Sequence, residues 1–447
     1  MNNRIALKIL LPVSLAFYIS GNITFGQAAT SVKVNTETDS LSLKSIIEKV
    51  ISSHPTVKVA EEAINNANAK IGLARTGYMP EADITANFTN LGPVTKLSIP
   101  NMGTFQLYPE NNYSASVNFR QLVYDFGRTN QNIKLENEGK TIAEQNIEQV
   151  KQKLSIYAVS NFYTLVFLQA ALKIKDEQLE ALNSHLSYVE KMMATGSATE
   201  YQILTTKVKI SSIESQKVDI ISAMTAQQAS LNSLLGNEQS VKPVVKTELR
   251  VDVPAVQADS LLSYAYHNRD EVILNEMKTS LAGLRLGLVK LTNKPVISFM
   301  ASAGGKNGYV PELGILKANY VVGLGVRIPI FDGTKNKYNI SQAQSSLTSL
   351  SYESDFTRRT VSSELTEAEA YMSAAWKKVS QFELQVTQAL KAYSLAETSF
   401  KAGVITNLDL LDANTSLSES RLLLLKARID YSASVYKLKS ALGERIY

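Results

Sequence analysis

The chain has no cysteine. Disulfides, thiolate metal sites and a lipid-modified N-terminal cysteine are therefore excluded, although this absence alone names no compartment. Its three histidines, His54, His185 and His267, are scattered, and none sits in an HExxH pattern or beside a nucleophile. No glycine-rich phosphate loop follows a strand. Asp125-Phe126-Gly127 spells a kinase tripeptide but lacks the catalytic loop and glycine-rich loop that phosphoryl transfer needs. The sequence thus points away from an enzyme and asks for no cofactor and no metal. Net charge is +5 from 46 basic and 41 acidic residues. With no dense Lys/Arg stripe among aromatics, nucleic acid is not an expected partner. The single tryptophan, Trp376, reads as a coiled-coil packing residue.

Long apolar runs are scarce too. Arg4 and Lys8 precede an apolar stretch from Ile9 to Ile19, too short for a comfortable membrane span, and Thr24-Phe25-Gly26 offers small residues for cleavage. Residues 1–26 therefore read as a secretory signal peptide, and the polar stretch from Gln27 to about Leu41 as a tether. No later stretch approaches the ~18 apolar residues of a transmembrane helix.

What is present is a duplication. The order helix, strand, strand, long helix, helix runs through residues 27–242 and again through 243–447, with an offset of roughly 210 residues. In the first repeat a helical pattern over Leu43 to Thr76, broken near His54-Pro55, gives way to period-two alternation in strands at about 81–91 and 113–123. A loop rich in Gly, Pro and Asn joins them, from Gly92 to Asn112. In the second repeat one helix is expected from Ser260 to Leu291, then strands at about 296–304 and 319–330. Tyr113, Ala115, Val117 and Phe119 form an apolar face, as do Tyr320, Val322, Leu324, Val326 and Ile328. This is the weak signature of membrane β-hairpins, which a soluble sandwich would share. Four strands cannot close a barrel, and open edges are not tolerated in lipid. Strands that cross a membrane would need two copies for eight strands, or three for twelve.

Each second strand exits through a similar motif, Tyr124-Asp125-Phe126-Gly127 and Phe331-Asp332-Gly333, into a helix of nearly 70 residues, roughly 100 Å long. In the second of these, Val361, Leu365, Ala368, Met372, Ala375, Val379, Phe382, Val386, Ala389, Tyr393, Ala396 and Phe400 keep a 3.5-residue repeat, the condition for a left-handed coiled coil. Two consecutive steps of four, at Thr357, Val361 and Leu365, shift the seam. The economical packing stacks two shorter helices end to end beside each long one. Each long helix ends in a hairpin: Gly196 then Thr199 and Gln202, and Gly403 then Thr406 and Asp409, a left-handed stop followed by a capping box.

These residues resemble the TolC family of outer-membrane channel proteins over essentially the whole mature chain. The similarity is strongest at the duplicated exits (Asp125, Gly127, Asp332, Gly333) and along Gly403 to Leu417, with its Leu408-Asp409-Leu410-Leu411-Asp412-Ala413. The resemblance implies a mainly α fold with a small membrane β-barrel portion. It further implies a homotrimer with one twelve-stranded outer-membrane barrel that continues into a periplasmic α-helical coiled-coil tunnel closed at the hairpin tips. The expected function is a passive exit duct for efflux or type I secretion, in contact with outer-membrane lipid and docked to a periplasmic adaptor protein and an inner-membrane transporter. A secreted soluble coiled-coil scaffold, or an adaptor itself, is the rival reading.

In that family, acidic residues at the positions of Asp409 and Asp412 ring the periplasmic constriction; alternatively both simply favour a helix N-terminus. Phe400 matches an aromatic of the family's tip network. Ile405 stands where the family has a basic residue, and Tyr201-Gln202 where it has Thr-Asp, so packing or Gln202 hydrogen bonds would replace a charged lock. Arg120 and Arg327 fall on the inward faces of matching strands, either as a basic belt in the barrel lumen or as ordinary snorkelling residues.

Overall fold

A computed structural model describes residues 40–247, 249 and 260–447. The expected signal peptide at 1–26 lies outside them. Leu41, at the end of the expected tether, forms a parallel bridge with Val245.

Helix α1 (Leu43–Ser53) ends at His54, and Pro55 opens α2 (Pro55–Thr76), its missing amide harmless at a first helical position. Strand β1 (Glu81–Asn90) follows. The loop expected at 92–112 holds a small hairpin of its own, β2 (Lys96–Ile99) with β3 (Gly103–Gln106). Then come β4 (Asn111–Tyr124), the 67-residue α3 (Arg128–Ala194) and α4 (Glu200–Leu235).

The second repeat corrects two expectations. Its first helix is two, α5 (Leu261–Asn268) and α6 (Asp270–Lys290), with no proline at the break. Arg269 makes it: the buried guanidinium donates to Glu271, to Glu364 and to the carbonyls of Ser440 and Ala441. Strands β5 (Val296–Lys306) and β6 (Lys317–Arg327) follow, and β6 stops three residues short of the expected 330, just before Ile328-Pro329. Helix α7 (Lys335–Lys401) again has 67 residues, and α8 (Asn407–Leu442) completes the repeat.

The helices stack as the lengths required. Both α2 and α4 lie along α3, and both α6 and α8 along α7. The end of α8 abuts the α5–α6 junction at Gly443, whose φ of +81° and neighbouring Asn268 carbonyl, 2.5 Å from where a Cβ would sit, admit only glycine. All twelve predicted seam positions of α7 are buried or half-buried. The step of four at Val361 falls where α7 leaves α6 for α8: Thr357 bonds Asn275 of α6, whereas Val361, Leu365 and Ala368 pack on Leu438, Ala441 and Leu442 of α8. Helix α3 meets both repeats, and its Phe162, Leu165 and Val166 anchor the largest core against α1, α4 and Ile429 of α8. It also contains an 18-residue window of span-like mean hydropathy, but 56% of that window is buried inside the fold. Trp376 is 59% exposed and leans on Tyr431 instead of entering the seam.

The strands form one antiparallel sheet in the order β1-β4-β5-β6. Its register sorts the side chains cleanly. One face carries Ile84, Phe88, Tyr113, Val117, Phe119, Phe299, Tyr320, Val322 and Leu324; the other carries Asp83, Thr85, Ser116, Asn118, Arg120, Ser302 and Arg327. On β4 the apolar face is the barer one, while β1 is exposed on both faces. Along β4, Tyr113, Ala115, Val117 and Phe119 are exposed, while Ser114, Ser116 and Asn118 between them are half-buried. That inverts the arrangement of a water-soluble sheet.

Candidate functional site

Two places gather the expected residues: the strand-to-helix exits and the hairpin tip. At the first exit the buried Asp125 carboxylate accepts from the amides of Gly127 (3.1 Å) and Thr129 (2.6 Å) at the start of α3. At the second, Asp332 accepts from the Asn336 amide (2.9 Å) and Asn293 Nδ2 (3.0 Å), bonds that hold its carboxyl below the usual range. Each aspartate is followed by two left-handed residues, Phe126 with Gly127 and Gly333 with Thr334. The turn repeats, but its glycine sits in the second slot in one repeat and the first in the other.

Arg120 and Arg327 share the polar face of the sheet, and both line one cleft at its helical end.

At the tip, both hairpins carry the expected capping boxes. Gly196 and Gly403 stop α3 and α7 with φ of 78° and 73°. Thr199 donates its amide to Gln202 Oε1 at 2.9 Å. Thr406 donates its amide (2.9 Å) and hydroxyl (2.7 Å) to Asp409, and these two bonds hold the exposed Asp409 carboxyl below its ordinary range. Asp409 is thus a capping residue in this chain, while the exposed Asp412, one turn on, makes no hydrogen bond or ion pair among the described residues.

Phe400 is buried. It packs with Val189 and Leu410 and meets His185 edge-on at 5.1 Å, beside a cavity of about 390 Å³ between α3, α7 and α8. His185, isolated in the sequence, is the residue that sequence reasoning missed. Its Nε2 donates to Oδ1 of the buried Asn407 at 2.6 Å, and Asn407 Nδ2 reaches the Gln202 carbonyl and the Thr205 and Thr206 hydroxyls. Burial pushes the imidazole below its ordinary value. A neutral latch therefore joins the two hairpins, and Gln202 contributes its backbone carbonyl to it while its side chain caps α4. Tyr201 stands 72% exposed at the rim.

A helical shaft carrying an open sheet with a bare apolar face defines a subunit of a membrane conduit. The family model for outer membrane efflux proteins matches residues 46–237 and 293–444, and the chain belongs to that family. It is 20% identical to the outer membrane protein TolC of Escherichia coli (strain K12), covering 98% of this chain and 87% of the relative. It is also 20% identical to the outer membrane efflux protein BepC of Brucella suis biovar 1 (strain 1330), covering 96% and 90%. The crystal structure of the outer membrane protein VceC from Vibrio cholerae superposes with a TM-score of 0.74 at 18% identity over 91% of this chain and 97% of that one. The chain is accordingly an outer-membrane efflux channel and not an enzyme, and the soluble scaffold and adaptor readings fall away.

Proposed function

We propose that three copies of this chain close a twelve-stranded barrel in the outer membrane and form the passive exit duct of a tripartite efflux or type I secretion system. The observation that carries this reading is the four-stranded sheet with its apolar face bare and with β1 and β6 as unpaired edges. In lipid each unsatisfied backbone group costs several kcal/mol, so the edges must meet other copies. At the far end, Tyr201, Leu204, Val208, Val404 and Leu408 leave apolar surface at the hairpin tips, suited to docking a periplasmic adaptor protein that couples the duct to an inner-membrane transporter. Asp409 and Asp412 on each copy form an acidic ring at the periplasmic constriction that favours cations. Arg120 and Arg327 face the barrel lumen as a basic belt.

Native mass spectrometry of the detergent-solubilised protein tests the assembly. Three copies per particle are expected; a monomer would overturn the shared barrel.

A further inference from the structure

The cleft that holds Arg120 and Arg327 has a volume of about 880 Å³ and is lined by three more cations, Arg128, Lys294 and Lys335. All five are exposed, and none joins an ion pair among the described residues. The cleft's one carboxylate, Asp332, accepts from Asn293 and the Asn336 amide and joins no ion pair among the described residues. Asp125 nearby accepts from the amides that open α3. Both 67-residue helices start at this level, at Arg128 and Lys335, so their positive dipole ends add to the same field. The sequence separates these residues widely; the sheet register and the two exits bring them to one rim.

We propose that this rim binds soluble multivalent oxyanions, such as organic phosphates or polycarboxylates, and selects for them at the junction of barrel and helices. Five cations share the cleft with Asp332, and Glu81 lies across the strand pair from Arg120, so positive charge is in excess there and an anion is its natural partner. A soluble source is favoured over lipid headgroups because Arg120 and Arg327 project from the polar face, opposite the apolar one. Threefold repetition triples the excess of charge, and to that extent the selectivity rests on the trimeric channel proposed above. The duct then carries opposite signs at its two ends, basic below the barrel and acidic at the tip.

The test is equilibrium binding of inorganic tripolyphosphate to the detergent-solubilised protein by isothermal titration calorimetry, alongside the native mass of the same sample. Saturable binding that weakens with added salt is expected. It should weaken about tenfold or more in Arg120→Gln/Arg327→Gln/Lys335→Gln. It should hold in Lys207→Gln/Lys217→Gln, which removes cations already paired with Glu190 and Asp176 on α3. Absence of saturable binding, or equal affinity in the triple variant, would overturn the anion rim. A monomeric sample that binds and loses binding in the triple variant would sink the shared barrel and support the rim.

Discussion

The two repeats reach one backbone geometry with different chemistry. At the helix break the first uses Pro55, a local constraint, whereas the second uses Arg269, which fixes the bend through Glu364 on α7 and two carbonyls at the end of α8. At the hairpin the first is capped by a neutral Gln202, the second by an ionised Asp409. Duplicated architecture therefore constrains the backbone and leaves each repeat free to hold it locally or through tertiary contacts, and with or without charge. The consequence is a tip whose capping charge belongs to the second hairpin alone.

The largest expected effect is one the repeats share. Val117→Arg in the first and Leu324→Arg in the second each place a cation on the apolar face, and each should impair insertion by roughly 2–4 kcal/mol if the position is mid-bilayer. Assembly in liposomes reads it out; normal assembly of both variants would argue against a lipid-facing sheet. Next comes an asymmetry. Arg269→Met removes several charged hydrogen bonds and should destabilise the chain by about 2–3 kcal/mol. Pro55→Ala should cost only about 0.4–1 kcal/mol, chiefly by loosening the unfolded chain. Thermal melts in detergent would show it, and equal losses would break the contrast.

Thr199→Ala and Thr406→Ala should each cost about 1 kcal/mol at neutral pH, but only the second should depend on acid. Asp409 has a folded pKa below its unfolded one, so its contribution is complete above the unfolded carboxylate value and is lost as pH falls through the folded one. The loss caused by Thr406→Ala should therefore shrink in strong acid, while that of Thr199→Ala stays constant relative to wild type. Burial, which depresses His185, makes its charging cost stability earlier, as pH falls below about 6.5, and does so in both variants alike. The smallest effect is at the exits. Thr334→Gly should stabilise by on the order of 0.5 kcal/mol, since relief of left-handed strain slightly exceeds glycine's entropy. Unchanged or lower stability would remove the strain assigned to that slot.

The duplication, the four strands, the α7 seam with its shift and both capping boxes were legible in the sequence because each rests on local periodicity or turn chemistry. The break at Arg269 was hidden because its cause is tertiary: no residue between Ser260 and Leu291 marks it, and its partners lie on α7 and α8. The β2–β3 hairpin escaped because strands of four residues among glycines and prolines show no alternation to read. The His185–Asn407 latch spans 222 residues, so only the fold reveals it. The family resemblance supplied the acidic positions. In the structure Asp409 caps α8, while Asp412 makes no hydrogen bond or ion pair among the described residues.

The most direct test of the account is single-channel current from the purified oligomer in a planar bilayer with a trivalent cation on the periplasmic side. A small, cation-selective conductance that the trivalent ion blocks, with the block lost in Asp409→Ala/Asp412→Ala, is the predicted result. Block that persists unchanged in the double variant, or no conductance at all, would contradict it.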